Sequence, residues 1–579
     1  MGRLAVVSLL LGAISCGGSS SPKPAFERFV DEWWAFEMAV DPLRATGVGE
    51  HRYDDRLPFV LHDSLAAIAA KRSEFAKRLV SIDKSRLDRQ DRVSYDMLAV
   101  ELDESIKEFE FGAERIPILV DDGFHINFAR QPSQFRFASA ADYRNFLGRL
   151  ASYPRFSREH IANMRRGLEA GFTMPQVVLD GYGATISGQI VDSIPASTFW
   201  KPFATFPPTV TTDSQAALIA EARRVIGDSV VPAYREFLRF MEAEYRPRAR
   251  VSIGASELPD GRRYYDWLVR KFTTLPLTAD SVHRLGLAEV GRIRAEMDKV
   301  IATTAFRGSF GEFLSFLRTD PRFYPKTPTE LLSMAATLAK TADGKLPALF
   351  GRLPRQPYGV EPVPEELAPK YTAGRYSGAP LEGTRAGAYW VNTYNLPSRP
   401  LYVLPALTLH EAVPGHHLQN ALAKELDNLP AFRRHGYVNA FGEGWGLYSE
   451  FLGIEMGMYR TPYEQFGRLT YEMWRACRLV VDTGIHAKGW TRDQAMKYLA
   501  DNTALSLHEI RTETDRYISW PGQALAYKLG ELKIRELRVM ATAKMGPRFD
   551  LRAFHDAVLR NGAVPLVVLE AEIERFTQP

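Results

Sequence analysis

The sequence predicts a mainly α protein. Helix-start signatures recur along the chain, and long runs space their apolar residues by three and four. The 579 residues are 45% apolar and 25% charged, an ordinary globular composition with material for a substantial core.

The helix evidence is local. Ser309-Phe310-Gly311-Glu312, Thr327-Pro328-Thr329-Glu330 and Thr491-Arg492-Asp493-Gln494 are capping boxes, each ahead of an apolar-periodic run. A long amphipathic helix is expected after Thr278. Another begins near Pro521 and stops at Gly546-Pro547. Residues 173–213, rich in Pro, Gly and Thr, predict an excursion over the surface. The clearest strand is 386–393 (AGAYWVNT), dense in aromatic and β-branched residues. At a cleft edge such a strand would pair with an extended peptide; otherwise it is a buried sheet strand.

Residues 1–16 carry Arg3, an apolar run over 4–14 and then Ala13-Ile14-Ser15-Cys16, a signal segment ending in a lipobox-like tetrapeptide. Cys16 is the expected lipidation site, 17–23 a flexible tether, and the cell envelope, on the periplasmic side at the outer membrane, the expected location. An ordinary cleaved signal is the plainer alternative. The domain reading is 1–24 as signal and tether, then one body over 25–579 with its metal site in 385–579. Cys477, the only other cysteine, is expected to be a buried thiol. Two cysteines make neither a disulfide framework nor a thiolate zinc site. The 73 Lys+Arg against 69 Asp+Glu, with no basic run, give no footprint for nucleic acid.

Three of the twelve histidines lie in His410-Glu411-Ala412-Val413-Pro414-Gly415-His416-His417. Zinc peptidases present two histidines and a base on one helix at i, i+4. Here the spacing is i+6 or i+7, a rise of about 9 or 10.5 Å on a regular helix. Pro414 withholds a hydrogen bond and Gly415 tolerates unusual dihedrals, so the helix is expected to bulge across 413–415. Absorbing two residues is easier than absorbing three. His416 is therefore the expected second ligand, with His417 as the alternative. Glu443, flanked by glycines that permit close approach to the metal helix, is the expected third ligand. Glu450, two turns on, is the expected partner of a ligand histidine.

The stretches 410–419 (HEAVPGHHLQ), 443–450 (EGWGLYSE), 482–486 (DTGIH) and 516–527 (RYISWPGQALAY), with TGVGEHRYDD near residue 50, resemble the bacterial "domain of unknown function 885" proteins. That family in turn resembles helical zinc oligopeptidases and carboxypeptidases of the thimet-oligopeptidase and neurolysin type. Their zinc helix has the plain His-Glu-x-x-His spacing and this one does not. The resemblance implies a large bilobal helical zinc-peptidase-like body with a small β-sheet lining its cleft.

The resulting expectation is Zn²⁺ on His410, His416 and Glu443, with Glu411 as general base and short peptides as substrates. His486, oriented by Asp482, and Tyr517 and Tyr527 are candidates for stabilising an oxyanion, and Arg516 for clamping a substrate carboxylate. Asn392, on the strand, is a candidate substrate contact. Structural pairing is the plain alternative for each. Hydrolysis of another amide or ester, and a non-catalytic metal-binding surface lipoprotein, remain open. No Gly-x-Ser-x-Gly, Gly-x-Gly-x-x-Gly or phosphate-binding loop occurs.

Overall fold

The computed structural model describes residues 24–365, 368–379 and 386–579. Helices dominate it. Those that frame the site, in chain order, are α1 (Gly261–Thr273), α2 (Ala279–Ala302), α3 (Leu404–Glu411), α4 (His416–Lys424), α5 (Asn439–Glu455), α6 (Pro462–Lys488), α7 (Leu507–Ser519) and α8 (Ala526–Met545). Cys16, with the whole signal and tether to residue 23, lies outside the described residues.

The start signals act as the sequence implies. Ser309 with Glu312, and Thr491 with Gln494, form reciprocal capping boxes. Thr327 accepts from the Glu330 N–H, but the Glu330 carboxylate reaches one residue further, to the Lys326 N–H at 2.7 Å. Thr278 caps α2, whose buried face of Val282, Val290, Ile293 and Met297 packs on α6. Gly286 permits the crossing, since a Cβ there would lie 2.7 Å from the Leu479 Cβ. α8 follows a short 3₁₀ turn, Gln523–Leu525, and ends at Gly546 with φ +52°.

Residues 173–213 are not a surface excursion. Met174, Val178, Leu179, Tyr182, Ile186, Phe199 and Phe203 are buried in the main core. The Pro and Gly content shapes short 3₁₀ turns, and the apolar residues between them carry the packing.

Three strands, β1 (Tyr358–Pro362), β2 (Gly374–Ser377) and β3 (Gly387–Val391), form one sheet in the order β1-β3-β2. β3 pairs parallel with β1 and antiparallel with β2. The strand expected from sequence is therefore central, with both edges used, and offers no backbone to a peptide. Asn392, at its end, is fully buried and donates to the carbonyls of Ala368, Tyr371 and Thr372 at 2.9–3.0 Å. It ties the preceding loop to the strand and is not a substrate contact.

One contiguous cluster of buried side chains runs from Phe26 to Ile573. The N-terminal and C-terminal helices meet in it: the Trp33 and Phe432 rings stand edge-on at 5.3 Å. Arg433 donates to Gln90 at 2.9 Å and to the Asn561 carbonyl at 3.1 Å. Cys477 is fully buried, and burial pushes its thiol up. Among the described residues no helix is long and apolar enough to cross a membrane.

Candidate metal centre

The His-Glu-x-x-Pro-Gly-His-His run does not bulge a single helix; it joins two. α3 ends at Glu411, residues 412–415 form a turn, and His416 opens α4. Pro414 has no N–H with which to continue α3. A Cβ on Gly415 would overlap the carbonyl oxygens of Leu409 and His410, so the turn closes this tightly only on glycine. The His417 N–H restarts the pattern on the Ala412 carbonyl at 3.0 Å. From α5, Trp445 Nε1–H donates to the Pro414 carbonyl at 2.8 Å and pins the turn.

The break places His410 at the end of one helix and His416 at the start of the next. Their rings lie 4.7 Å apart and nearly perpendicular. Each Nε2 is 3.5 Å from the same oxygen of Glu443. One ligand atom from each of the three residues lies within 4.8 Å of the others. Tetrahedral ligands bonded at about 2.0–2.1 Å stand roughly 3.4 Å apart, so these separations fit a shared ion. They are too long for strong hydrogen bonds.

Gly446, one turn after Glu443, makes the room: a Cβ there would lie 2.6 Å from the His410 ring. The two glycines flanking Glu443 serve otherwise. Gly442 accommodates the Tyr437 ring, and Gly444 the backbone of Gly530 in α8.

Around the three ligands the side chains are ordered. His410 Nδ1 lies 2.9 Å from Glu450 Oε1. A carboxylate only accepts, so Nδ1 carries a proton and Nε2 is the nitrogen turned to the cluster. Arg475 Nη2 holds the same Glu450 oxygen at 3.4 Å. Burial disfavours a charged His410, but the facing carboxylates of Glu443 and Glu450 outweigh it and raise its pKa to about 10. Burial raises Glu443, and His410 and His416 more than reverse this, holding it well below the usual range. This electrostatics favours positive charge among the three ligands, as a cation would supply. The Glu411 carboxylate accepts from the β2 N–H of Tyr376 at 2.8 Å, which couples the sheet to the end of α3.

His417 points elsewhere. Its Nε2 donates to the Gln356 carbonyl at 3.0 Å, Nδ1 lies 3.3 Å from the Tyr376 hydroxyl, and burial lowers its pKa to about 4. Tyr527 is near the cluster: Arg516 Nη2 donates to its hydroxyl at 3.2 Å, and the Arg478 guanidinium lies 4.1 Å from its ring centre. Burial and Glu443 push this phenol up, yet Arg516 and Arg478 hold it below the ordinary value. Arg516 spends its other contacts on Gln523 at 2.8 Å and Glu513 at 3.4 Å, so it clamps Tyr527 instead of presenting a free fork.

Three expected site residues are core residues. His486 accepts the Ala255 N–H at Nδ1, 3.0 Å, and donates from Nε2 to the Tyr517 carbonyl at 2.9 Å. Both nitrogens are engaged, and burial lowers its pKa to about 3. Asp482 accepts from the Tyr265 hydroxyl of α1 at 2.6 Å and from the Gly522 N–H at 3.1 Å, so it orients no histidine. Burial raises its pKa to about 7. The Tyr517 hydroxyl accepts from Trp474 and Arg478 at 2.8 and 2.9 Å and is enclosed. Helical spacing put Asp482 and His486 on one face, but that face packs on α1.

Sequence reasoning missed Tyr437, whose hydroxyl donates to Glu443 at 3.0 Å. It also missed Arg475. Tyr437 stands six residues before Glu443, and nothing in the motif marks it.

Fold and site together define a mainly helical protein with a His-His-Glu cluster suited to one metal ion. The chain belongs to the family described as "Bacterial protein of unknown function (DUF885)", whose profile matches residues 42–573. A solved structure described as "the putative lipoprotein from Colwellia psychrerythraea" is 28% identical, with a TM-score of 0.89 over 95% of this chain and 98% of that one. A second, "a putative lipoprotein of unknown function from Shewanella oneidensis", is 18% identical, with a TM-score of 0.74 over 95% of this chain and 99% of that one. That second likeness speaks for the fold alone. No protein of curated function matches the chain.

Proposed function

We propose that the protein is a zinc-dependent hydrolase of peptide bonds in short peptides, of oligopeptidase or carboxypeptidase type. In this reading Cys16 anchors it by lipid on the periplasmic side of the envelope, and the description of the Colwellia psychrerythraea neighbour as a lipoprotein supports the anchor. The bilobal, zinc-peptidase-like body belongs to the same reading. The observation that carries it is the ligand count. His410, His416 and Glu443 converge as three protein donors, and a carboxylate with no place among the ligands, Glu411, directly follows the first. Structural zinc sites close with four protein ligands, whereas catalytic ones keep a position open.

A zinc ion held there would supply Lewis acidity and lower the pKa of water in its open position. In this reading Glu411 takes a proton from the attacking water and delivers it to the leaving amine, and the hydrogen bond it accepts from the Tyr376 N–H supports a fixed orientation. Tyr527, polarised by two guanidiniums, is the donor for charge developing on the scissile carbonyl oxygen. Glu450 and Arg475 fix the ring of His410.

Glu411→Gln keeps the shape and removes the base. Zinc should stay bound while hydrolysis of short peptides falls by about 10²–10⁴-fold. Zinc retained with near-normal turnover would refute the mechanism. A zinc-loaded wild type that cleaves no peptide but cleaves another amide or an ester would shift the reading to that substrate. Inertness on all of them would mark a metal-binding surface protein.

A further inference from the structure

We infer that Arg375 anchors the C-terminal carboxylate of the substrate peptide, so that cleavage is counted from the peptide's C-terminal end. The inference rests on the peptidase reading and names its substrate class.

In β2, alternate residues face opposite sides of the sheet. Gly374 and Tyr376 face the metal helices: a Cβ on Gly374 would lie 3.2 Å from Leu407, and the Tyr376 ring is 5.5 Å from that of His417. Arg375 therefore points to the other side. Its partner across the ladder is Trp390, whose ring lies 6.2 Å from that of Tyr371. Arg375 is exposed there, with Tyr371 among its neighbours. It is nonetheless a near neighbour of the catalytic groups, because the very next N–H holds Glu411 at 2.8 Å. Its charge is also felt by Glu411, Tyr437 and Tyr527.

Three other cations around the site have carboxylates. Arg478 and Arg516 share Glu513 at 2.9 and 3.4 Å, and Arg475 holds Glu450 at 3.4 Å. Among the described residues Arg375 forms no ion pair. A guanidinium in no ion pair with a described carboxylate, across the ladder from Trp390 and next in the chain to the N–H that orients the base, suits a planar anion taken by two parallel hydrogen bonds. In a short peptide the anion present in every sequence is the C-terminal carboxylate. An acidic side chain offers the same chemistry, and the test separates the two.

The zinc-loaded enzyme should cleave a peptide acid about 10- to 100-fold better in kcat/KM than the same peptide amidated, the usual worth of a charge-assisted hydrogen bond. R375M should bring acid and amide level while retaining zinc, and R375K should recover part of the preference. Binding of an N-acetyl tripeptide acid and its amide to zinc-loaded E411Q, by calorimetry, should show the same discrimination without turnover. Equal binding of acid and amide, or a preference that survives R375M, would overturn the inference. So would full recovery of rate by an amidated peptide ending in Glu, because the side chain would then be the anchor's ligand. Discrimination in binding with no turnover of any peptide would uphold the anchor and refute the peptidase reading. Turnover indifferent to the C-terminus would do the reverse.

Discussion

His416 and His417 are adjacent and identical in type, yet only one meets His410 and Glu443. On sequence alone His416 is favoured, because a bulge of two residues is smaller than one of three. The structure brings in the same residue for a different reason: α4 begins at His416, so its ring projects from a helix start into the turn, while the next ring is directed at the sheet. Zinc affinity should follow this. Glu450→Gln, which weakens the acceptor on His410 Nδ1 and removes the charge facing Arg475, should weaken binding by about 10- to 100-fold. His416→Ala should cost more than that, and His417→Ala less, with affinities read by competition against a chromophoric chelator. A larger loss in His417→Ala than in His416→Ala would exclude the assignment. At this scale the ligands were legible because metal chemistry restricts residue type and spacing. His486, Asp482 and Tyr517 were misread because a buried hydrogen-bonded histidine and a catalytic one have the same sequence signature. What separates them is the neighbour: here α1, the loop at Ala255 and the carbonyl of Tyr517.

The elements that form the centre meet through glycines, and their positions make a sharper test than the ligands do. Gly415→Ala places a methyl group against two carbonyl oxygens that cannot retreat without unwinding the end of α3. It should cost roughly 3 kcal/mol or more of stability, in the range of the largest single-residue effects, and release zinc. Gly291, exposed in α2 with nothing within 4 Å of an added Cβ, is the control. Gly291→Ala should stabilise by about 0.5–1 kcal/mol through helix propensity alone. Denaturant unfolding of both variants checks this, and a Gly415→Ala protein as stable as wild type would mean that the α3–α4 turn is looser than described. Helix starts were readable because caps are local chemistry. The sheet was readable only as one strand, since the centrality of β3 depends on partners at 358–362 and 374–377 that the local pattern does not reveal. The break at 412–415 was half readable. Pro414 and Gly415 announce an interruption, but the contact that pins the restarted helix comes from Trp445, thirty-one residues away.

Across the whole molecule the core is continuous, so a change far from the metal centre should register in global stability. His160 tests this and carries a pH dependence. Its ring stacks on Phe124 at 4.2 Å and stands edge-on to Phe156 at 4.5 Å, and neither nitrogen has a hydrogen-bond partner among the described residues. Burial lowers its pKa to about 3, with the neighbouring His125 adding to the shift. The native state therefore keeps His160 neutral, while the unfolded chain takes up a proton near pH 6.5. As pH falls below about 6.5 the unfolded state binds more protons, so the His160 contribution to stability is lost progressively until about pH 3. Each pH unit in that window costs about 1.4 kcal/mol. His160→Phe removes the titration and two unpartnered nitrogens from an aromatic site, and should gain about 1 kcal/mol at neutral pH. Other buried groups titrate in the same range, so the quantity to measure is the difference between variant and wild type. Urea unfolding at pH 7.5, 6 and 5 should show that difference widening in favour of the variant by about 2 kcal/mol from the neutral end to pH 5. A difference constant with pH would mean that His160 takes up its proton in the folded protein, and that water or a polar partner reaches the Phe124–Phe156 pocket.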